Sequence, residues 1–154
     1  MFKRSCLNLY QKFGHVTIQK SQIFYETTNI FACVNISPLL QGHILVCPKR
    51  EVKRVRDLTE DELSDMMISA QKISIKLEDY LERTAVNFGI QDGKAAGQSV
   101  SHVHMHVIPR IEGDFKDKTE IYKKLRNDGK EVRELRSIGE MSEEADVFRK
   151  LMSS

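Results

Sequence analysis

The amino-acid sequence predicts an α+β fold, in which an antiparallel sheet packs against one long helix and one or two short ones. Apolar and polar residues alternate with a period of two in several short segments, as they do in half-buried strands. The first of these segments are separated only by turn residues, a pattern typical of an antiparallel meander. One longer segment instead repeats its apolar residues at three- and four-residue steps, as the buried face of a helix does.

The strand predictions begin at residue 23 and resume after the long helix. Within 30–36 the alternation places Phe31, Cys33 and Asn35 on one face and apolar residues on the other. Pro48 ends the next apolar run, because proline cannot donate to a strand ladder. The predicted strands are 23–25, 30–36, 44–47, 86–90 and 102–109.

The longest helix is predicted over 59–83. Thr59 and Glu62 have the spacing of a capping box at its start. Two weaker helices are expected around 121–125 and 143–151. The apolar stripe of the long helix consists of Leu63, Met66, Met67, Ala70, Ile73, Leu77 and Leu81.

Length and composition indicate one domain with a hydrophobic core. The 154 residues are 40% hydrophobic and 30% charged, which excludes a disordered chain. Because 24 basic and 22 acidic residues leave a net charge of only +2, we expect no nucleic-acid partner. No apolar run approaches a membrane span of about 18 residues. We expect a basic arm over 1–12 and a single domain over 13–154, with a charged, mobile region over 112–154.

Three cysteines, Cys6, Cys33 and Cys47, form an odd set without a CxxC pair. The amino end has no apolar stretch typical of a secretion signal. We therefore expect reduced thiols and a cytoplasmic location.

Three of the five histidines stand at alternate positions, His102, His104 and His106. In a strand, alternate residues share a face, so the three imidazoles should lie together while Val103 and Met105 point into apolar packing. A purely structural strand does not need three half-buried imidazoles. We therefore interpret this face as the functional one.

A zinc site is one alternative for these histidines. Along a strand the outer two are about 13 Å apart, whereas Zn–N bonds are about 2.1 Å. A site on two of them would need His15, His43, a cysteine or a carboxylate, and no second motif supplies one. We therefore predict no protein-held metal.

The turn before the histidines favours phosphoryl transfer. Residues 97–101 combine a glycine, the Gln98 amide, two hydroxyls and backbone N–H groups, which together can cradle a phosphate. Imidazole is nucleophilic near pH 7 and can form a phosphoramidate that water later cleaves.

The stretch 97–108 resembles the signature of the histidine triad family, in which each of three alternating histidines precedes an apolar residue. The resemblance covers about 13–122. It implies a five-stranded antiparallel sheet, a dimer with a continuous sheet, and nucleotide hydrolysis or transfer through a nucleotidyl-histidine intermediate.

Within the family the sequence is similar to the fragile histidine triad (Fhit) branch, which hydrolyses dinucleoside polyphosphates. The tryptophan-containing tail of the Hint-type phosphoramidases is not found in this tryptophan-free sequence, and neither is the proline-containing motif of the uridylyltransferase branch. The shared stretches are 42–48, 91–93, 96–98, 109–110, 113–115 and 121–122.

The resemblance implies roles for individual residues. His104 would be the nucleophile, His106 would lie beside the bridging oxygen and the phosphates, His102 would orient the nucleophile, and His43 would support the network. Gly97, Gln98, Ser99 and Val100 would contact phosphate; Asn35 and Gln91 would contact ribose and substrate; and Phe13, Ile18 and Leu45 would line an adenine pocket.

The expected reaction is hydrolysis of diadenosine triphosphate to AMP and ADP, with Mg²⁺ arriving as the counter-ion of the substrate because no acidic cage is visible. Ser101 stands where the branch has lysine, and Val16 where it has a substrate-contacting histidine. These departures concern substrate preference. A Hint-like adenosine phosphoramidase and a slow nucleotide-binding signalling module stay open as alternatives.

Overall fold

The computed structural model describes residues 9–126 and 134–154. Seven strands and three α-helices are present in these ranges, and none of the helices is long and apolar enough to cross a membrane. The strands are β1 (Tyr10–Phe13), β2 (Val16–Gln19), β3 (Ile23–Glu26), β4 (Ile30–Val34), β5 (Ile44–Pro48), β6 (Ala85–Gly89) and β7 (Met105–Arg110). The helices are α1 (Glu60–Leu81), α2 (Glu120–Arg126) and α3 (Ile138–Ser153).

The main sheet has five antiparallel strands in the order β3-β4-β5-β7-β6, which confirms the predicted α+β class. Strands β5 and β7 lie side by side although they are far apart in the chain, where α1 and β6 come between them. Their register pairs Leu45 with His106. The histidine strand is therefore flanked on both sides in the sheet.

The two faces of the sheet bury different clusters. Helices α1 and α3 cover one face, where Met66, Ile73 and Phe148 meet Ala32 and Val107 of the strands. The opposite face carries Phe31, Cys33 and Cys47 under the β1–β2 hairpin. All five residues of β4 are buried because it is covered on both sides.

Helix α1 begins as predicted and ends two residues early. The Thr59 hydroxyl accepts from the Glu62 N–H, and the Glu62 carboxylate accepts from the Thr59 N–H. Hydrogen bonds from Arg50 lower the pKa of Glu62 to about 2. The helix stops at Leu81 because Glu82 adopts a left-handed conformation, with φ of 53°.

Part of the predicted stripe on α1 faces solvent. Met66, Ala70, Ile73 and Leu77 are buried, whereas Leu63 and Met67 are 45% and 48% exposed. The buried arc is completed instead by the small hydroxyl side chains at positions 69 and 74. The three- and four-residue repeat therefore includes more positions than are buried in the narrow contact between α1 and the sheet.

The β1–β2 hairpin was not predicted. It pairs Tyr10 with Gln19 and Phe13 with Val16, so the last three residues of the expected arm over 1–12 belong to a strand. Residues 1–8, with Cys6, lie outside the described ranges. Only Phe13 of β1 is buried, and so short a strand has no clear alternation to reveal it.

Strand β7 begins at Met105 and not at residue 102 as predicted. The His102 N–H donates to the Val100 carbonyl at 2.8 Å, and the Val103 N–H donates to the Val52 carbonyl at 2.7 Å. These bonds belong to a bent segment, so the first two histidines of the motif precede the regular strand.

Helix α3 is much longer than the short helix expected around 143–151. Ser137 caps it in a reciprocal pair with Glu140, and Met141, Ala145 and Phe148 bury one face. The buried face has only these three residues, and many charged residues stand between them, so the sequence pattern did not predict a long helix. The division into an arm and one domain, and the mobility of region 112–154, stay predictions.

We predict that Phe148→Ala lowers the free energy of unfolding by about 3 kcal/mol, because it removes a buried aromatic ring that stacks edge-on with Phe24. Denaturant unfolding measures this. The control is Val147→Ala on the solvent side of the same helix, expected to change stability by less than about 0.5 kcal/mol. Equal effects of the two substitutions would contradict the described docking of α3.

Candidate active site

The three histidines of the motif and His43 form one buried cluster on the sheet face covered by the hairpin. His102, His104 and His106 are all less than 5% exposed. The ring centroids of His104 and His106 are 5.1 Å apart, as are those of His43 and His106. The structure therefore brings together the four predicted catalytic histidines.

A backbone carbonyl sets the proton position on His104. The carbonyl oxygen of His102 lies 2.8 Å from Nδ1 of His104. Because a carbonyl oxygen only accepts, Nδ1 carries the proton and Nε2 carries the lone pair of the neutral ring. His104 is thereby prepared as a nucleophile through Nε2.

His106 has the opposite tautomer, and His43 imposes it. The Leu39 N–H donates to Nδ1 of His43 at 3.0 Å, so the proton of neutral His43 is on Nε2. That N–H donates to Nδ1 of His106 at 2.9 Å, which leaves the His106 proton on Nε2. Two adjacent rings therefore offer one lone pair and one N–H.

The His102 imidazole has a structural task. Its Nδ1 accepts from the Gly14 N–H at 3.3 Å, and its Nε2–H donates to the Pro48 carbonyl at 2.8 Å. The ring thus links the hairpin turn to the end of β5. Burial lowers its pKa and keeps it neutral. It is the His102 carbonyl, and not the His102 ring, that contacts His104, and the role of His102 in orienting a nucleophile stays a prediction.

Asn35 extends the cluster at the end of β4. Its Nδ2 lies 3.2 Å from Nε2 of His43, and its Oδ1 accepts from the Ser37 N–H at 2.9 Å. The side chain is 9% exposed. The predicted ribose-contact residue therefore lies directly against the supporting histidine.

The Gln98 side chain is bonded to backbone groups beside the site. Its Oε1 accepts from the Gly93 N–H at 2.8 Å, and its Nε2 donates to the Lys53 carbonyl at 3.0 Å. These bonds hold the 93–98 turn against the segment before α1. The phosphate contacts expected of Gly97, Gln98, Ser99 and Val100 stay predictions.

Gln91 lines a cleft beside His106 that was not predicted from the sequence. Its Nε2 donates to the Leu125 carbonyl at 2.9 Å. The cleft, of about 590 Å³, is formed by His106, Gln91, β6 and helix α2. Tyr122, Lys123 and Arg126 also line it, and only knowledge of how α2 packs could have placed them there.

The predicted apolar pocket residues lie on the histidine face. Phe13 and Ile18 are buried, and Leu45 and Val100 pack against the same cluster. The Phe13 ring is 5.3 Å from the rings of His102 and His104, and meets the latter edge-on. The structure thus places the apolar residues beside His104, and their contact with adenine stays a prediction.

Comparisons with known proteins agree with this site. The model of the HIT domain matches residues 17–113. A Dictyostelium discoideum protein named bis(5'-adenosyl)-triphosphatase is 47% identical over 90% of this chain and 91% of its own length. An Arabidopsis thaliana protein named bifunctional bis(5'-adenosyl)-triphosphatase/adenylylsulfatase FHIT is 44% identical over 90% of this chain and 82% of its own.

Solved structures share the fold. The Caenorhabditis elegans NitFhit protein has a TM-score of 0.79 and 39% identity over 96% of this chain, which spans 31% of that longer protein. The Plasmodium falciparum diadenosine triphosphate hydrolase, solved with cyclomarin A, has a TM-score of 0.77 and 29% identity over 99% of this chain and 90% of its own.

An imidazole with an available lone pair beside one that presents an N–H, at the edge of a cleft of about 590 Å³, is typical of the hydrolases and transferases that work through a histidine adduct. The matching domain covers more than half of the chain, and the two relatives above extend over nearly all of it. The chain belongs to the histidine triad family, and the expected similarity to its Fhit branch is confirmed.

The lowered pKa of His102 predicts a pH dependence of stability. Protonation of His102 favours the unfolded chain, where the pKa is about 6.5. The stabilising contribution is therefore complete above pH 6.5 and is lost as pH falls through the lower folded pKa. We expect the free energy of unfolding to fall more steeply between pH 7 and 5 in the wild type than in His102→Gln. Parallel curves would contradict this.

Proposed function

We propose that the protein hydrolyses diadenosine triphosphate to AMP and ADP through a covalent intermediate on His104. The observation that carries the proposal is the bond from Nδ1 of His104 to the His102 carbonyl, which leaves a lone pair on Nε2 of His104 beside the Nε2–H of His106. The names of the D. discoideum and A. thaliana relatives and of the P. falciparum structure support the substrate.

In the first step Nε2 of His104 attacks the α-phosphorus in line with the bond to the leaving nucleotide. The N–P bond forms as the bridging P–O bond breaks, and ADP departs with the bonding electrons. The second pKa of a terminal phosphate is near 6, so ADP leaves with little help. The Nε2–H of His106 donates a hydrogen bond to the bridging oxygen.

In the second step water attacks the phosphorus of the adduct. The N–P bond breaks, AMP is released, and the lone pair returns to Nε2 of His104. One proton of the water is lost to solvent or to the neighbouring histidines. Because the His102 carbonyl holds Nδ1–H throughout, the ring returns in the tautomer that attacks the next substrate.

The leaving nucleotide has room beside His106. The cleft along β6 and α2 is large enough for a small nucleotide. Lys123 and Arg126 line it and favour an anionic occupant. Mg²⁺ would enter with the polyphosphate as its counter-ion, since carboxylate and phosphate oxygens are its usual ligands.

Two other functions need the same pocket. A Hint-like adenosine phosphoramidase would cleave a P–N bond with the same nucleophile, and a signalling module would hold nucleotide with slow turnover. Comparing kcat/KM for diadenosine triphosphate with that for an adenosine phosphoramidate separates the two enzymes. A higher value for the phosphoramidate would overturn the proposed substrate.

We predict that His104→Asn lowers kcat by at least about 1000-fold, because asparagine offers no nucleophilic nitrogen. AMP affinity, measured by calorimetry on the same samples, should change by less than about threefold, since the pocket is kept. Product analysis in ¹⁸O water should place the label in AMP for the wild type. A His104→Asn enzyme with more than a tenth of wild-type turnover would overturn the nucleophile assignment.

A homodimer formed through β6 is part of the proposal. This strand is the edge of the sheet next to β7, and its Phe88 is 41% exposed. Ile68 and Ile75 of α1 are 50% and 53% exposed. Pairing two β6 strands across a twofold axis would remove an open edge and continue the sheet.

A cytoplasmic location and the lack of a nucleic-acid partner also belong to the proposal. Cys33 and Cys47 are free, buried thiols on adjacent strands. Burial, together with contact with Cys33, raises the pKa of Cys47 and keeps it protonated. Neighbouring reduced thiols accord with a reducing compartment. The small net charge of +2 argues against a nucleic-acid partner.

We predict a sedimenting species of about 36 kDa at micromolar concentration, twice the 17.8 kDa of one chain. Charging both exposed isoleucines, in Ile68→Asp/Ile75→Asp, should shift it toward the monomer. The control is Val147→Asp, which charges an exposed apolar residue of α3 and should leave the mass unchanged. A fully active wild-type species with the mass of a single chain would refute the dimer.

A further inference from the structure

An arginine just before α3 reaches back across the fold to the end of β4. The Arg136 Nε donates to the Asn35 carbonyl at 3.0 Å, and a terminal nitrogen of the same guanidinium donates to the same oxygen. The Arg136 N–H also donates to the Ile36 carbonyl at 3.0 Å. The segment before α3 is thus bonded to two successive residues at the site.

A carboxylate of α3 holds the guanidinium in place. The remaining terminal nitrogen of Arg136 lies 2.7 Å from Oε2 of Glu144, and both side chains are about 20% exposed. The planar guanidinium can serve the carbonyl and the carboxylate together, which a lysine ammonium cannot do with the same fixed geometry. The pair therefore fixes the Asn35 backbone relative to α3.

The position of the Asn35 backbone matters because its side chain lies against the catalytic network. Its Nδ2 contacts Nε2 of His43 at 3.2 Å, a packing contact and not a hydrogen bond, because the proton on that nitrogen is donated to His106. Strand β4 ends at Val34, so the ladder does not hold Asn35. A shift of about 1 Å at a positioning residue can cost about a hundredfold in rate.

We propose that Arg136, held by Glu144, is a positioning residue that sets Asn35 for contact with the bound nucleoside and for packing against His43. The site would then be correctly formed only when α3 is packed against the sheet. The inference rests on the proposed function, because the ligand of Asn35 is taken to be the ribose of the substrate.

Arg149 provides a matched control. One of its terminal nitrogens donates to the Ile23 carbonyl at 2.7 Å, and another pairs with Asp146. It therefore makes the same kind of guanidinium-to-carbonyl bond, in this case between α3 and strand β3. Its bonds go to the Ile23 backbone of β3 and to a carboxylate of its own helix, and not to Asn35 or to a histidine.

The test compares Arg136→Gln with Arg149→Gln in the full chain. We expect Arg136→Gln to weaken AMP binding about tenfold and to lower kcat/KM for diadenosine triphosphate by at least as much. Arg149→Gln should keep both values within about twofold, even if the two variants lose similar thermal stability. Equal losses of activity and affinity in both variants would overturn the positioning role.

A double-mutant cycle with Asn35→Ala tests whether the effect passes through Asn35. On that background Arg136→Gln should cause less than about a twofold further loss of AMP affinity. A full tenfold further loss would overturn the proposal. Glu144→Gln should give an intermediate loss, and it replaces Arg136→Gln in the cycle if that variant does not fold.

Failure of the proposed function gives a different result. If the wild type neither binds AMP nor cleaves diadenosine triphosphate, the assigned substrate is wrong. If the wild type is active and Arg136→Gln matches it in AMP affinity and kcat/KM, only the positioning role is wrong.

Discussion

The active site depends on the hydrogen bonds of its buried imidazoles, because each of the four rings has at least one nitrogen held by a named partner. A buried donor without an acceptor costs about 1–3 kcal/mol, so each ring must enter the fold in one tautomer. The His102 carbonyl settles that tautomer for His104, and the Leu39 N–H settles it for His43 and, through His43, for His106. The hydrogen bonds that stabilise the buried rings thus also leave a lone pair on Nε2 of His104 and an N–H on Nε2 of His106.

The bend before β7 serves the same requirement. In a regular strand the carbonyl of His102 would be directed toward a neighbouring strand of the sheet. Here the N–H groups of His102 and Val103 bond to Val100 and Val52, and the chain enters the sheet only at Met105. The His102 carbonyl is thereby available to Nδ1 of His104. The loss of regular strand geometry is thus what allows this bond to fix the tautomer of His104.

Local pattern was sufficient for the five strands of the main sheet, the cap of α1 and the shared face of the three motif histidines, whereas His43 was expected only from the family resemblance. Strand alternation marks the histidine face, and the Thr59 and Glu62 spacing marks the start of α1. Both signals act within a few residues of chain. The bend at 102–104 could not be predicted in this way, because its hydrogen bond from Val103 to Val52 joins positions on opposite sides of α1 in the chain.

The remaining features also depend on distant partners. Gln98 was expected at phosphate, yet its amide joins Gly93 to Lys53, a task visible only once the two segments are adjacent. Arg136 carried no signal because one arginine in a charged segment is ordinary. Its bond to Asn35 spans 101 residues. Long-range contacts beside the site were therefore missed, whereas the clustering of the motif histidines was predicted.

Charge is used differently around the site and within it. Arg50 and Arg54 stand close to the end of β5 but are paired with Glu62 and Asp92. These pairs hold the start of α1 and the 91–93 turn. Both guanidinium groups are therefore already neutralised by a carboxylate of the protein. A polyphosphate bound as proposed would then meet Lys123 and Arg126 in the cleft, together with backbone N–H groups, neutral rings and the cations it brings. Neutral imidazole suits this arrangement, because it can attack phosphorus without first losing a proton to a nearby base.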